Sequence, residues 1–236
     1  MRLILNGGGS DDQVKESYEV FAREVNGGKV LYIPLAWSHG NMEECINWFR
    51  GQMKPFGVTN IEQILNPEDI TKEKLKSVSG VFIGGGNTYQ LLKALKESCA
   101  FKNLKEYLNN DGLVMGGSAG AMIFGKSIDT CLDDGLEIKH CVDHNLVGLK
   151  DTKGFDYIKG YSILPHYKKV IEQNENTKQR VNRLISNGFK LVCLPEETSL
   201  YITDDKFTII GQKPAEIITK NKTQIIEPNN VCDLIK

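Results

Sequence analysis

Four short apolar runs, Leu3–Leu5, Val30–Pro34, Val81–Ile83 and Leu113–Met115, recur along the first half of the chain, each bounded by glycine or polar residues. Continuous apolar runs of this length suit strands buried on both faces, as in parallel sheets. Between them the periodicity changes. Val14, Tyr18, Val20, Phe21 and Val25 fall at roughly helical spacing, as do Phe101, Leu104, Tyr107 and Leu108, and each set reads as a core-facing helical stripe. Strands alternating with helices predict βαβ units and a mostly parallel sheet. From Leu191 onward the chain changes to short apolar-rich runs separated by Asp204-Asp205, Gly211 and Lys220-Asn221-Lys222. That spacing predicts a final parallel strand followed by a small C-terminal β-hairpin extension. No repeat, low-complexity tract or linker stands out, so residues 1–236 read as a single α/β domain.

Composition narrows the function classes. A chain of 236 residues, 40% of them apolar, can bury one sizeable core. Its net charge of -1 argues against a nucleic-acid partner and against electrostatic attachment to a membrane. The cysteines, Cys45, Cys99, Cys131, Cys141, Cys193 and Cys232, include no Cys-x-x-Cys pair. They read as ordinary buried thiols rather than a zinc framework, and no metal or cofactor is expected. The apolar stretch after Met1-Arg2 is too short for a secretory signal, and no run reaches the length of a membrane span. A cytoplasmic protein is the expectation.

The chemistry concentrates where strands meet glycines. Leu113-Val114-Met115 runs into Gly116-Gly117-Ser118-Ala119-Gly120, a Gly-x-Ser-x-Gly segment with the form of a nucleophile elbow. A helix starting after Ser118 would aim unpaired N–H groups and its positive dipole end at the hydroxyl. The competing reading is a phosphate-holding loop, but neither a Walker Lys-Ser/Thr pair nor a dinucleotide Gly-x-Gly-x-x-Gly is present here. A second run, Val81-Phe82-Ile83, ends in Gly84-Gly85-Gly86-Asn87-Thr88. Asn87 with Gln90 suits a helix cap, and bare N–H groups at Gly85 or Gly86 could join that of Ala119 around a tetrahedral oxyanion. Two such loops after two parallel strands would line one crevice.

A serine hydroxyl needs a base, and the base an orienting acid. Of the four histidines, His166 follows Ile163-Leu164-Pro165 at the end of an apolar run; His39 is second, and His140 and His144 lie in polar sequence. Candidate acids are Glu196, directly after Cys193-Leu194-Pro195, its neighbour Glu197, and Asp133 and Asp134 in an Asp-Gly turn.

Taken together, Gly84-Gly85-Gly86-Asn87-Thr88, Gly116-Gly117-Ser118-Ala119-Gly120-Ala121, Leu164-Pro165-His166-Tyr167 and Leu194-Pro195-Glu196-Glu197 resemble the S51 serine peptidases, the family of peptidase E and cyanophycinase. The resemblance implies a three-layer, flavodoxin-type fold like that of the class I glutamine amidotransferases. It implies Ser118 as nucleophile and His166 as base. For the third member it suggests Glu196, with Asp133 as the alternative acid, and the order serine, histidine, acid favours Glu196. The arginine that peptidase E uses for the aspartate of its substrate falls at Thr177, with Lys178, Arg180 and Arg183 nearby. Strict preference for N-terminal aspartate is therefore not expected. The expected partner is a short peptide, cleaved as by a dipeptidase, with Gly85, Gly86, Asn87 and Ala119 around the substrate; a homodimer is compatible with this reading. The alternatives are hydrolysis of another amide, such as a cyanophycin-like β-linked peptide, and a non-catalytic module for a phosphorylated metabolite.

Overall fold

The computed structural model describes residues 1–38, 40–131, 143–167, 175–204 and 206–233, the side chains of residues 175–177 excepted. Strands β1 (Arg2–Asn6), β2 (Val30–Ile33), β3 (Ile61–Gln63), β4 (Gly80–Ile83) and β5 (Leu113–Gly117) pair in parallel in the order β1-β5-β4-β2-β3. Four of these are the apolar runs of the sequence. The short β3 is half-buried throughout and carries no such run.

Alternate residues of each strand enter opposite cores. Ile4, Tyr32, Phe82 and Met115 pack with the buried residues of helices α1 (Lys15–Val25) and α2 (Met42–Met53). Leu5, Ile33, Ile83 and Val114 pack on the other face. There they meet leucines of α4 (Thr88–Glu97) and α5 (Ala100–Asn109), which follow the short α3 (Lys72–Lys76). The result is three layers, with the sheet apolar on both sides.

After the one-turn α6 (Ala119–Met122) come β6 (Ser162–Leu164), α7 (Glu175–Ser186) and β7 (Leu191–Cys193). The remaining strands are β8 (Thr198–Thr203), β9 (Lys206–Gly211), β10 (Ala215–Ile218), β11 (Thr223–Ile226) and β12 (Val231–Asp233). They form the expected antiparallel pairings, divided between two sheets. β8 pairs with β1 and carries β9 and β12 with it, so the main sheet has eight strands in the order β12-β9-β8-β1-β5-β4-β2-β3. β10 and β11 join the parallel pair β6 and β7 in a second sheet of four. The cysteines depart from the sequence reading: Cys45, Cys131 and Cys193 are buried, but Cys99, at the N-cap of α5, is exposed and Cys232, on the edge strand β12, is half-buried, while Cys141 lies outside the described residues. No helix among the described residues is long and apolar enough to cross a membrane.

The two sheets meet at their carboxyl ends. Gly7, just past β1, donates its N–H to Thr198 O at 2.9 Å and accepts from His166 N at 2.8 Å. Leu5 is level with Gly116, and Gly116 with Ile83, so β1, β4 and β5 exit together beside the ends of β6 and β7.

Close approach at this edge requires glycine. A Cβ on Gly116 would stand 2.2 Å from Gly120 O, and one on Gly120 2.2 Å from Ile83 O, both backbone atoms that cannot move aside. Gly51, on the outside of α2, has no heavy atom within 4 Å of such a Cβ. In equilibrium urea unfolding, Gly116→Ala and Gly120→Ala should each lose about 1–3 kcal/mol or more, whereas Gly51→Ala should gain about 0.5–1 kcal/mol from its helical position. Equal effects at the three sites would contradict this packing.

Candidate active site

Ser118 occupies the sharp turn between β5 and α6 with φ 51° and ψ −112°, a conformation that costs a non-glycine residue about 1–3 kcal/mol. Surrounding bonds hold it there. Its N–H donates to Asn6 O at 3.1 Å, and its carbonyl accepts from Ala121 N at 2.9 Å and Met122 N at 3.0 Å. Serine at a helix N-cap normally turns its hydroxyl back onto the helix. Here the hydroxyl makes no cap bond and lies 2.9 Å from His166 Nε2. Because α6 is a single turn, the strong dipole field expected of a longer helix is absent, and only the local N–H groups remain.

His166 also has a positive φ, 54°, and its N–H is tied to Gly7 O. On the far side of the ring, Nδ1 lies 2.8 Å from Glu196 Oε1, and both side chains are nearly out of solvent, at 12% and 11% exposure. A carboxylate there selects the tautomer with the proton on Nδ1, leaving the Nε2 lone pair toward the serine hydroxyl. Glu196 Oε2 accepts from Gln13 Nε2 at 3.1 Å, which ties the carboxylate at its second oxygen. The line Ser118, His166, Glu196 has the geometry of a base-activated nucleophile.

Glycines admit these side chains. A Cβ on Gly8, whose φ is +100°, would stand 2.3 Å from His166 Cε1 and 2.5 Å from Nε2. A Cβ on Gly85 would come 3.2 Å from Ser118 Cβ. Among the described residues, the N–H groups of Gly85, Gly86 and Ala119 make no hydrogen bond, so they are available to a ligand oxygen. Asn87 is engaged structurally: its Oδ1 caps α4 at Gln90 N, 2.9 Å, and its Nδ2 donates to His144 O at 3.0 Å.

Ser118 borders two cavities, of about 40 Å³ and about 150 Å³. A larger hollow, about 840 Å³, lies near Arg2 and Gly112 at the opposite ends of the strands and touches none of these groups. Thr88, Cys131 and Asp143 line the smaller cavity. Asp143 Oδ2 accepts from Thr88 N at 2.8 Å and from Thr88 Oγ1 at 2.5 Å. Burial, and then the Asp143 charge, push the Cys131 thiol well above its ordinary range, so it stays protonated and unreactive.

Several sequence candidates fall elsewhere. Asp133, Asp134, His39 and His140 lie outside the described residues, as does the side chain of Thr177. His144 is exposed. The carbonyl of Glu197 accepts from Gln212 N at 3.1 Å. Arg180 is buried on α7, while Lys178 and Arg183 are exposed. No grouping of three or more His, Cys, Asp or Glu among the described residues could hold a metal ion. Sequence reasoning missed Asn6, Gly7, Gly8, Gln13 and Asp143. Only the three glycines after the first strand, Gly7-Gly8-Gly9, gave a signal, being the same strand-then-glycine pattern as the two loops that were found.

Comparison with known proteins points the same way. The model of the family described as Peptidase family S51 matches residues 3–210. The chain is 27% identical over 195 residues to "Peptidase E" of Shewanella denitrificans, covering 80% of this chain and 77% of that protein. It is 24% identical over 220 residues to a Drosophila melanogaster protein named "Probable alpha-aspartyl dipeptidase", covering 90% and 85%. The crystal structure of a peptidase from an acI-B1 actinobacterium superposes with a TM-score of 0.74 at 20% identity, over 98% of this chain and 96% of that one. It shares the fold.

If contact with Gly8 sets the position of the imidazole, Gly8→Ala should lower kcat/KM for peptide hydrolysis by about 100-fold, the penalty of an ångström-scale misplacement. Gln13→Ala, which removes one donor to Glu196, should cost about tenfold. Both proteins should keep wild-type far-UV circular dichroism. Full activity in Gly8→Ala would contradict the geometry.

Proposed function

The chain belongs to peptidase family S51 and is a serine-type peptidase, and from that premise we propose that it is a cytoplasmic exopeptidase that cleaves short peptides with Ser118, His166 and Glu196. The observation that carries this reading is the unbroken hydrogen-bonded line from Ser118 Oγ through the His166 ring to Glu196, at 2.9 Å and 2.8 Å. Membership of a peptidase family removes the alternative of a non-catalytic module for a phosphorylated metabolite.

In this mechanism Ser118 Oγ attacks the scissile carbonyl carbon as its proton passes to His166 Nε2. Glu196 holds the ring and stabilises the imidazolium. The carbonyl oxygen becomes an oxyanion facing the N–H groups of Ala119 and of Gly85 or Gly86, donors of a kind worth about 10²–10³-fold each in rate. His166 then returns the proton to the departing amine, the C–N bond breaks, and an acyl ester remains on Ser118. Water, deprotonated by the same imidazole, hydrolyses the ester and restores the hydroxyl.

What supports end-specific cleavage is the 40 Å³ cavity beside Ser118, which holds little more than a small side chain and has the carboxylate of Asp143 in its wall. A free α-ammonium on the acyl residue would meet an opposite charge there, while an acidic side chain would meet a like one. Strict preference for N-terminal aspartate is therefore not part of this reading. Ser118→Ala should lower kcat/KM on an alanine-led dipeptide by about 10⁴-fold or more, with an unchanged thermal midpoint. Wild-type enzyme should prefer the free dipeptide over its N-acetyl form by about 30-fold or more, and Asp143→Asn should narrow that ratio. Undiminished turnover in Ser118→Ala would end the proposal.

A further inference from the structure

The second cavity beside Ser118 has a different character. Tyr18, Phe82 and Met115 form its floor, Trp48 stands at its mouth, and no charged side chain among the described residues lines it. The floor is rigid: Tyr18 and Phe82 pack edge to face with ring centroids 6.0 Å apart, and Met115 is fully buried. Trp48 is different. It lies off the buried face of α2, which is Cys45, Ile46, Phe49 and Met53, and remains 45% exposed. An indole left half in water at the rim of an apolar hollow is surface that a ligand can cover.

The position of this cavity relative to the imidazole assigns its occupant. Gly8 lines it, and Gly8 is the residue whose added Cβ would strike His166 Cε1 and Nε2. The cavity therefore opens beside the ring edge that must hand its proton to the departing amine. Gly117 keeps the space open, since a Cβ there would meet nothing nearer than Phe82 Cζ at 3.9 Å. At about 150 Å³, the volume is of the order of an apolar protein cavity that accepts benzene.

We propose that this cavity is the subsite for the residue on the amine side of the scissile bond, and that it selects an apolar or aromatic side chain there. The assignment rests on Ser118 and His166 acting as nucleophile and base. With Asp143 in the small cavity and aromatic walls in the large one, Ser118 lies between a polar acyl side and an apolar leaving side, which fixes the direction of the bound peptide. A lysine or glutamate on the leaving side would lose hydration without gaining a charged partner among the described residues.

The test is a series of dipeptides led by alanine, with glycine, lysine, glutamate, leucine or phenylalanine as the second residue. The expected result is a kcat/KM for phenylalanine and leucine at least about tenfold above that for glycine. In Trp48→Ala the phenylalanine-to-glycine ratio should fall to within about twofold of unity, and Trp48→Phe should recover most of it. Similar kcat/KM across the series, or a preference untouched by Trp48→Ala, would overturn the subsite while leaving the peptidase reading intact. Absence of cleavage throughout, or cleavage that survives Ser118→Ala, would overturn the peptidase reading and the subsite with it.

Discussion

Two successive carbonyls at the exit of the first strand hold the site together. Asn6 O takes the N–H of Ser118 and Gly7 O takes the N–H of His166, so residues separated by 48 positions are set by hydrogen bonds to adjacent links of one backbone segment. The segment is itself braced. Gly7 N donates to Thr198 O, and the buried Asn6 side chain donates to Ser199 Oγ at 2.9 Å and accepts from Gly8 N at 2.7 Å. Each bond is worth only about 1 kcal/mol. Their value lies in geometry, because Ser118 Oγ and His166 Nε2 can meet only if both backbones are fixed.

That closeness explains the glycine usage. A Cβ on Gly7 would stand 1.9 Å from Pro195 O, and with Gly8, Gly116 and Gly120 it shares one demand: backbones and side chains closer than a methyl group allows. The positive φ angles of Ser118 and His166 belong to the same arrangement. Strain at these two residues is tolerated because the sheets on either side, apolar on both faces, make the surrounding positions costly to shift.

How much of this could be read from residues depends on the range of the interaction. Leu3–Leu5 and Val81–Ile83 are legible as buried strands because their apolar runs are continuous, and Ser118 is legible because its small neighbours are its sequence neighbours. His166 and Glu196 could be located, each just past a strand and a proline, but with 30 residues between them only the family resemblance, and no local pattern, joined them. The half-buried β3 gave no pattern. The spacing of short apolar-rich runs announced antiparallel strands after Leu191 but carried no information on which sheet each would join, and β8 lies against β1 nearly the whole chain away. The roles of Asn6, Gly8, Gln13 and Asp143 were illegible for the same reason: each is defined by a contact remote in sequence, and nothing local distinguishes an asparagine that positions a nucleophile from one that ends a strand.

The central claim is that His166, held by Glu196, makes Ser118 a nucleophile. Exposure of the native protein to a fluorophosphonate, followed by intact mass and peptide mapping, tests it most directly. The account predicts a single adduct on Ser118 that disappears in His166→Ala. An adduct on another residue, none at all, or undiminished labelling in His166→Ala would contradict it.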